Sequence, residues 1–241
     1  MIKRIVLYSL LFTSLLSVSA YAGTDDETAY ALNTLLFLVS GFLVMLMAAG
    51  FCMLESGMVT SKSVSTIAAK NIGLYSIAGL MFWVIGYNVA YGIPEGGYIG
   101  SFTPWSDASA IDTGYSDGSD WFFQMVFCAT TVSIVSGTLA ERIKIWPFFL
   151  FAAILTGIIY PIEMGWQWGG GWLSAAGFSD FAGSTLVHAA GGAAALAGAI
   201  VLGPRLGRFS NGKLVPFASS SIPLATLGTF ILWFGWFGFN R

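Results

Sequence analysis

The chain has 241 residues, 56% of them apolar and 9% charged, and a formal net charge of −2. This lies outside the range of ordinary soluble domains and points to a bilayer as the solvent. With so little positive charge, a nucleic-acid partner has no electrostatic footing.

The first elements in chain order read as an export signal over residues 1–22. Lys3 and Arg4 are its basic region, Ile5 to Val18 its apolar stretch, and Ala20-Tyr21-Ala22 a small-residue cleavage site. Cleavage after Ala22 leaves a membrane domain over residues 23–241, with its mature N-terminus outside the cytoplasm. Six apolar stretches long enough to cross a bilayer follow. They are expected near residues 30–54, 67–91, 121–140, 146–164, 185–203 and 222–240. The fold class is therefore an all-α integral membrane protein with six transmembrane helices after a signal peptide.

Charge in the connections gives the orientation. Lys62 and Lys70 follow the first span, Arg142 and Lys144 the third, and Arg205, Arg208 and Lys213 the fifth. The alternate connections carry Glu95, Asp107, Asp112, Asp117, Asp120 and Asp180 without a lysine or arginine, and Arg241 is the one exception, at the last residue. By the positive-inside rule the N-terminus lies outside, periplasmic for a multi-pass protein of the inner membrane. Cys52 and Cys128 fall in apolar segments toward opposite membrane faces, so they read as buried small side chains rather than a disulfide or metal pair.

The fifth span crowds small residues at spacings of four, among them Gly191, Ala195 and Ala199, which suits close helix packing. His188, the sole histidine, sits in this span, and an ionisable group there is a functional candidate because burying it in hydrocarbon is costly. A plain packed histidine bonded to a backbone carbonyl is the alternative. Asp180 stands at the head of the span, where it can cap backbone N–H groups two or three residues on. Continuous helix would put His188 about 12 Å deeper than Asp180, beneath an outward-facing carboxylate. Trp166, Trp168 and Trp172 flank Gly169-Gly170-Gly171, Phe123 and Phe127 lie one turn apart in the third span, and Phe237 and Phe239 end the sixth. Singly these rings read as interfacial anchors; together at one depth they read as a cup of π-faces that attracts a cation. Glu55 and Glu163 are expected at span ends, interfacial or paired, and Glu141-Arg142-Ile143-Lys144 as a turn. With no H-E-x-x-H, no G-x-S-x-G and one histidine, nothing supports an enzyme, a metal site or a cofactor. A retinal protein would need a lysine deep in a span, and none is expected there.

Several ordered motifs carry a family resemblance: Gly50-Phe51-Cys52-Met53-Leu54-Glu55-Ser56-Gly57 with Lys70-Asn71; Phe123-Gln124-Met125-Val126-Phe127 leading to Ser136-Gly137-Thr138-Leu139-Ala140-Glu141-Arg142; Trp168-Gly169-Gly170-Gly171; Asp180-Phe181-Ala182-Gly183-Ser184-Thr185-Leu186-Val187-His188; and Gly235-Trp236-Phe237-Gly238-Phe239-Asn240. The chain resembles the ammonium transporter family (Amt/MEP/Rh), bacterial Amt type, N-terminal half only. The resemblance implies an inverted-repeat fold of about eleven helices, of which this chain is the first part, truncated before the second half. It implies recruitment of ammonium by Trp168, Asp180 and Phe127, a gate of Phe127 and Phe239, and a pore in which His188 is the first of two histidines and serves as ligand or proton relay. The second histidine and a serine expected after Phe239 have no counterpart. It further implies ammonium, ammonia or methylammonium as cargo, a homotrimer, a cytoplasmic PII-type regulator as partner, and no cofactor. An ammonium sensor of the same fold, signalling through an appended cytoplasmic module, is the alternative.

Overall fold

The computed structural model describes residues 25–240; the expected signal segment and Arg241 lie outside them. Six helices among the described residues are long and apolar enough to cross a membrane: α1 (Asp26–Met58), α2 (Ser61–Tyr91), α3 (Asp117–Leu139), α4 (Ile145–Gly165), α5 (Ser184–Leu202) and α6 (Ile222–Phe239). All six spans expected from sequence are present, several starting earlier than hydropathy indicated. α1 begins at Asp26 because Asp25 caps it, its carboxylate accepting from Thr28 N at 2.7 Å, with Asp26 and Glu27 in the first turn. α3 begins at Asp117, with Asp117 and Asp120 in its first turn. Hydropathy discounts such polar first turns, although acidic groups favour a helix N-terminus. A two-residue hairpin, β1 (Phe209–Ser210) with β2 (Lys213–Leu214), closes the α5–α6 connection. Its turn residues Asn211 and Gly212 both have positive φ, as a tight primed turn requires.

α3 runs through the middle of the bundle, burying Phe127, Cys128, Val132, Val135 and Leu139 against its neighbours. The most extensive pairing is α1 against α6. It is possible because both helices present glycines at the crossing: a Cβ on Gly57 would stand 2.5 Å from Ser221 O, and one on Gly228 2.6 Å from Gly50 O. Small-residue packing expected in the fifth span is also present where Gly191 and Gly198 meet α3. Each of α2, α4 and α5 contains one π-helical stretch, Phe82–Gly86, Leu155–Ile159 and Ser184–Ala189. The one in α4 ends two residues before Pro161, whose ring and missing N–H disfavour regular helix behind it.

One expected placement is corrected. Lys70 does not lie in the connection after the first span: α2 starts at Ser61, which puts Lys70 about 14 Å along the helix. Its side chain is 4% exposed and pairs with Glu55 Oε2 at 3.0 Å. Ser136 Oγ donates to the same oxygen at 2.9 Å, and Lys70 Nζ donates to Ser136 O at 2.8 Å. A lysine therefore does lie inside a span, contrary to the sequence reading, and its partner cancels its charge there. The loop asymmetry keeps Lys62, Arg142, Lys144, Arg205, Arg208 and Lys213. Glu141 is likewise more than a turn residue. Held at φ +60, it accepts hydrogen bonds from Thr60 N (3.1 Å), the Thr60 hydroxyl and Ser63 Oγ (2.7 Å). Arg205 Nη1 reaches its other oxygen at 2.7 Å. One carboxylate thus ties together the α1–α2, α3–α4 and α5–α6 connections.

Lys70→Met leaves Glu55 buried without its cation and is expected to lower stability by about 3–5 kcal/mol. In thermal unfolding of detergent-solubilised protein, the double variant Lys70→Met with Glu55→Leu is expected to melt above the single one.

Candidate functional site

The segment between α4 and α5 assembles around Asp180. Its Oδ1 accepts from Gly183 N (2.8 Å) and Ser184 N (3.1 Å), and its Oδ2 from Thr185 N (2.7 Å) and Leu186 N (3.0 Å). These donors are the amides at the start of α5, which lack intrahelical partners. Gly183 makes the turn at φ +83, where a Cβ would lie 2.8 Å from Val187 Cγ2 and 3.0 Å from the Trp168 ring. The backbone carbonyl of Asp180 accepts Trp168 Nε1 at 2.6 Å. Asp180 therefore fixes both the first turn of α5, which carries His188, and the ring of Trp168. Burial pushes its carboxyl up, but the amides of Leu186, Thr185, Gly183 and Ser184 more than offset this and hold it below the ordinary carboxylate range.

Beside Trp168 the aromatic rings form a continuous series. Tyr115 meets Phe37 at 4.9 Å between centroids, Phe37 meets Phe123 at 5.3 Å, and Phe123 meets Phe127 at 4.8 Å. Phe127 then packs on Phe239 at 4.4 Å, and Phe239 on the His188 ring at 5.1 Å. Trp168 lies edge-on to Phe127 at 5.9 Å. The series leads from the α2–α3 connection into the bundle and ends on an imidazole. His188 is half-buried, with Nδ1 3.4 Å from Gly183 O, a long contact that restrains the ring without burying it in backbone. Above the Phe127–Phe239 pair lies a cavity of about 390 Å³ whose walls include Trp168, Phe127, Tyr87, Tyr91 and Asp120.

The structure brings together Trp168, Phe127, Phe239 and His188, with Asp180 behind them. Two expectations are corrected. The Asp180 carboxylate is not outward-facing: the residue is 8% exposed and its oxygens are engaged by four amides. His188 is not eight helical residues below it, because α5 starts only at Ser184 after an irregular turn, which leaves about 6 Å of helix between them. Phe237 is 72% exposed and joins none of the site's rings. Sequence reading missed Tyr87, Tyr91, Tyr115, Gln124 and Asp120 on the cavity wall. Tyr115 and Asp120, shortly ahead of Phe123, were a partial signal, obscured by assigning Asp120 to the connection. No group of three or more His, Cys, Asp or Glu among the described residues could hold a metal, and Cys52 and Cys128 are free thiols.

The model of the Ammonium Transporter Family matches residues 35–241. The ammonium transporter Amt2 of Archaeoglobus fulgidus is 42% identical over 220 residues, 84% of this chain and 45% of that protein. A solved structure named Sensor Amt Protein superposes with a TM-score of 0.79 at 38% identity, covering 86% of this chain and 53% of its own. Candida albicans Mep2 superposes with a TM-score of 0.75 at 27% identity, covering 90% of this chain and 49% of its own. The chain thus spans about half the length of the relatives it matches.

A carboxyl held below its unfolded value stabilises the fold fully above that value, and the contribution fades as pH falls through the lowered one. Asp180→Asn is expected to melt below the native protein at neutral pH, with the gap closing on acidification from roughly pH 5 downward. Melting temperatures measured across that range check it; a gap that stays constant would assign the stabilisation to another group.

Proposed function

The chain belongs to the Ammonium Transporter Family, and on that premise we propose that it forms the recruiting and gating part of an ammonium conduction path. The observation that carries this reading is the unbroken series of ring contacts from Tyr115 to His188, narrowed at Phe127 and Phe239. Ammonium is gathered where Trp168 and Phe127 offer π-faces. A bare cation in an apolar passage loses hydration that rings alone do not replace, whereas neutral ammonia loses little. The cation therefore gives up its proton near the Phe127–Phe239 pair, to solvent in the outer cavity or to the His188 imidazole, and continues as ammonia. The imidazole there can hydrogen-bond ammonia or relay the proton. Asp180 acts by positioning Trp168 and α5, since its oxygens are already engaged.

The end of the bundle that carries Asp25 and the cavity faces outside, and the end with Lys62, Arg142 and Arg205 faces the cytoplasm, supported by the loop charges. In the inner membrane the complete transporter would pair this half with a second, assemble as a homotrimer and answer to a cytoplasmic PII-type regulator. Likeness to the structure named Sensor Amt Protein favours a second reading, in which the same path serves as the receptor of an ammonium sensor.

Cells expressing the gene are expected to take up methylammonium, with uptake reduced at least about tenfold in His188→Ala, as expected for loss of a directly acting group. Equal uptake in the two would remove His188 from the path, and binding without any uptake would favour the sensor.

A further inference from the structure

Asp180 does not line the cavity above the gate. Asp120 does. It is 7% exposed, and Tyr87 donates its hydroxyl to Oδ2 at 2.6 Å while Gln124 donates its side-chain amide to Oδ1 at 3.3 Å. It is also the one charged residue among those that line the cavity; the others are aromatic, apart from Gln124. Gln124 Oε1 is buried without a hydrogen-bond partner, which leaves an amide acceptor on the same wall. Tyr87 stacks toward Tyr91 at 4.9 Å, so two phenol rings continue the π-surface next to the carboxylate.

We propose that Asp120 is the carboxylate that recruits the cation in this chain, in a ring-lined cage completed by the Gln124 carbonyl, while Asp180 is a positioning residue. The inference rests on the ammonium reading above. The cage matches its ligand in three ways. A compact cation with N–H donors meets a fixed acceptor, a charge held in place by Tyr87, and aromatic faces that favour weakly hydrated cations. At about 390 Å³ the space exceeds one ammonium ion, so methylated ammonium ions enter it as well. The narrowing at Phe127 and Phe239 lies beyond it, so the cage selects by charge and hydration before the gate selects by size.

The test is tryptophan fluorescence of the purified full chain titrated with ammonium chloride or methylammonium chloride, against potassium chloride. Asp120→Asn is expected to weaken the apparent affinity for both ammonium ions by about tenfold, the effect of removing one charge-assisted partner. Asp120→Glu keeps the charge but moves it by one methylene, and is expected to change the ratio of the two affinities by at least about threefold. Unaltered affinity in folded Asp120→Asn, its melting temperature being the control, would overturn the inference while leaving the ammonium reading intact. If Asp120→Asn does not fold, an unaltered ratio in Asp120→Glu overturns it. A native protein that binds neither ion overturns both.

Discussion

Everything at the site depends on where the chain turns from the α4–α5 segment into α5, and one carboxylate sets that turn. Asp180 takes the four amide groups that a helix start leaves open, and its own carbonyl takes Trp168. Leaving even one buried N–H unmet costs about 1–3 kcal/mol, so four met together define a single geometry for the turn. That geometry fixes His188 four residues into α5 and the Trp168 ring against Phe127. A second constraint works at the opposite end, where Glu141 holds three connections together and so sets the ends of the helices that carry the rings.

On the proposed reading, the balance of magnitudes accounts for a path that narrows between rings rather than between charges. A cation–π contact is worth roughly 0.5–2 kcal/mol. Several of them offset part of the cost of dehydrating a cation, enough to hold it at the mouth of the passage but not enough to carry it through an apolar interior. Rings at the mouth and an imidazole beyond the Phe127–Phe239 pair suit the proposed species that enters charged and proceeds uncharged. The chemistry of the rest of the bundle is consistent: its deep ion pair, Lys70 with Glu55, is neutralised internally and offers no competing charge to the path.

Much of the fold was legible from hydropathy, because six spans separated by charged connections leave few alternatives. Their starts were less legible, since Asp26, Asp117 and Lys62 lie in or beside helical turns that a hydropathy window discounts. Lys70 was misplaced for a related reason: a lysine reads as loop until its partner is known, and Glu55 lies fifteen residues before it on another helix. At the site, Trp168, Asp180, Phe127, Phe239 and His188 were all singled out from sequence, and the structure brings them together. What sequence concealed was how Asp180 is used. Its four amide bonds depend on a left-handed turn at Gly183, which no periodicity reveals. The wall formed by Tyr87, Tyr91 and Asp120 was hidden because α2 and α3 meet there only in the folded bundle.

The most direct measurement is internal pH in liposomes that contain the protein, recorded on imposing an inward ammonium gradient and, separately, a potassium gradient. The proposed ammonia path predicts a rapid pH change with ammonium, faster than in protein-free liposomes, and none with potassium. A response equal to that of protein-free liposomes, or an equal response to potassium, would contradict it.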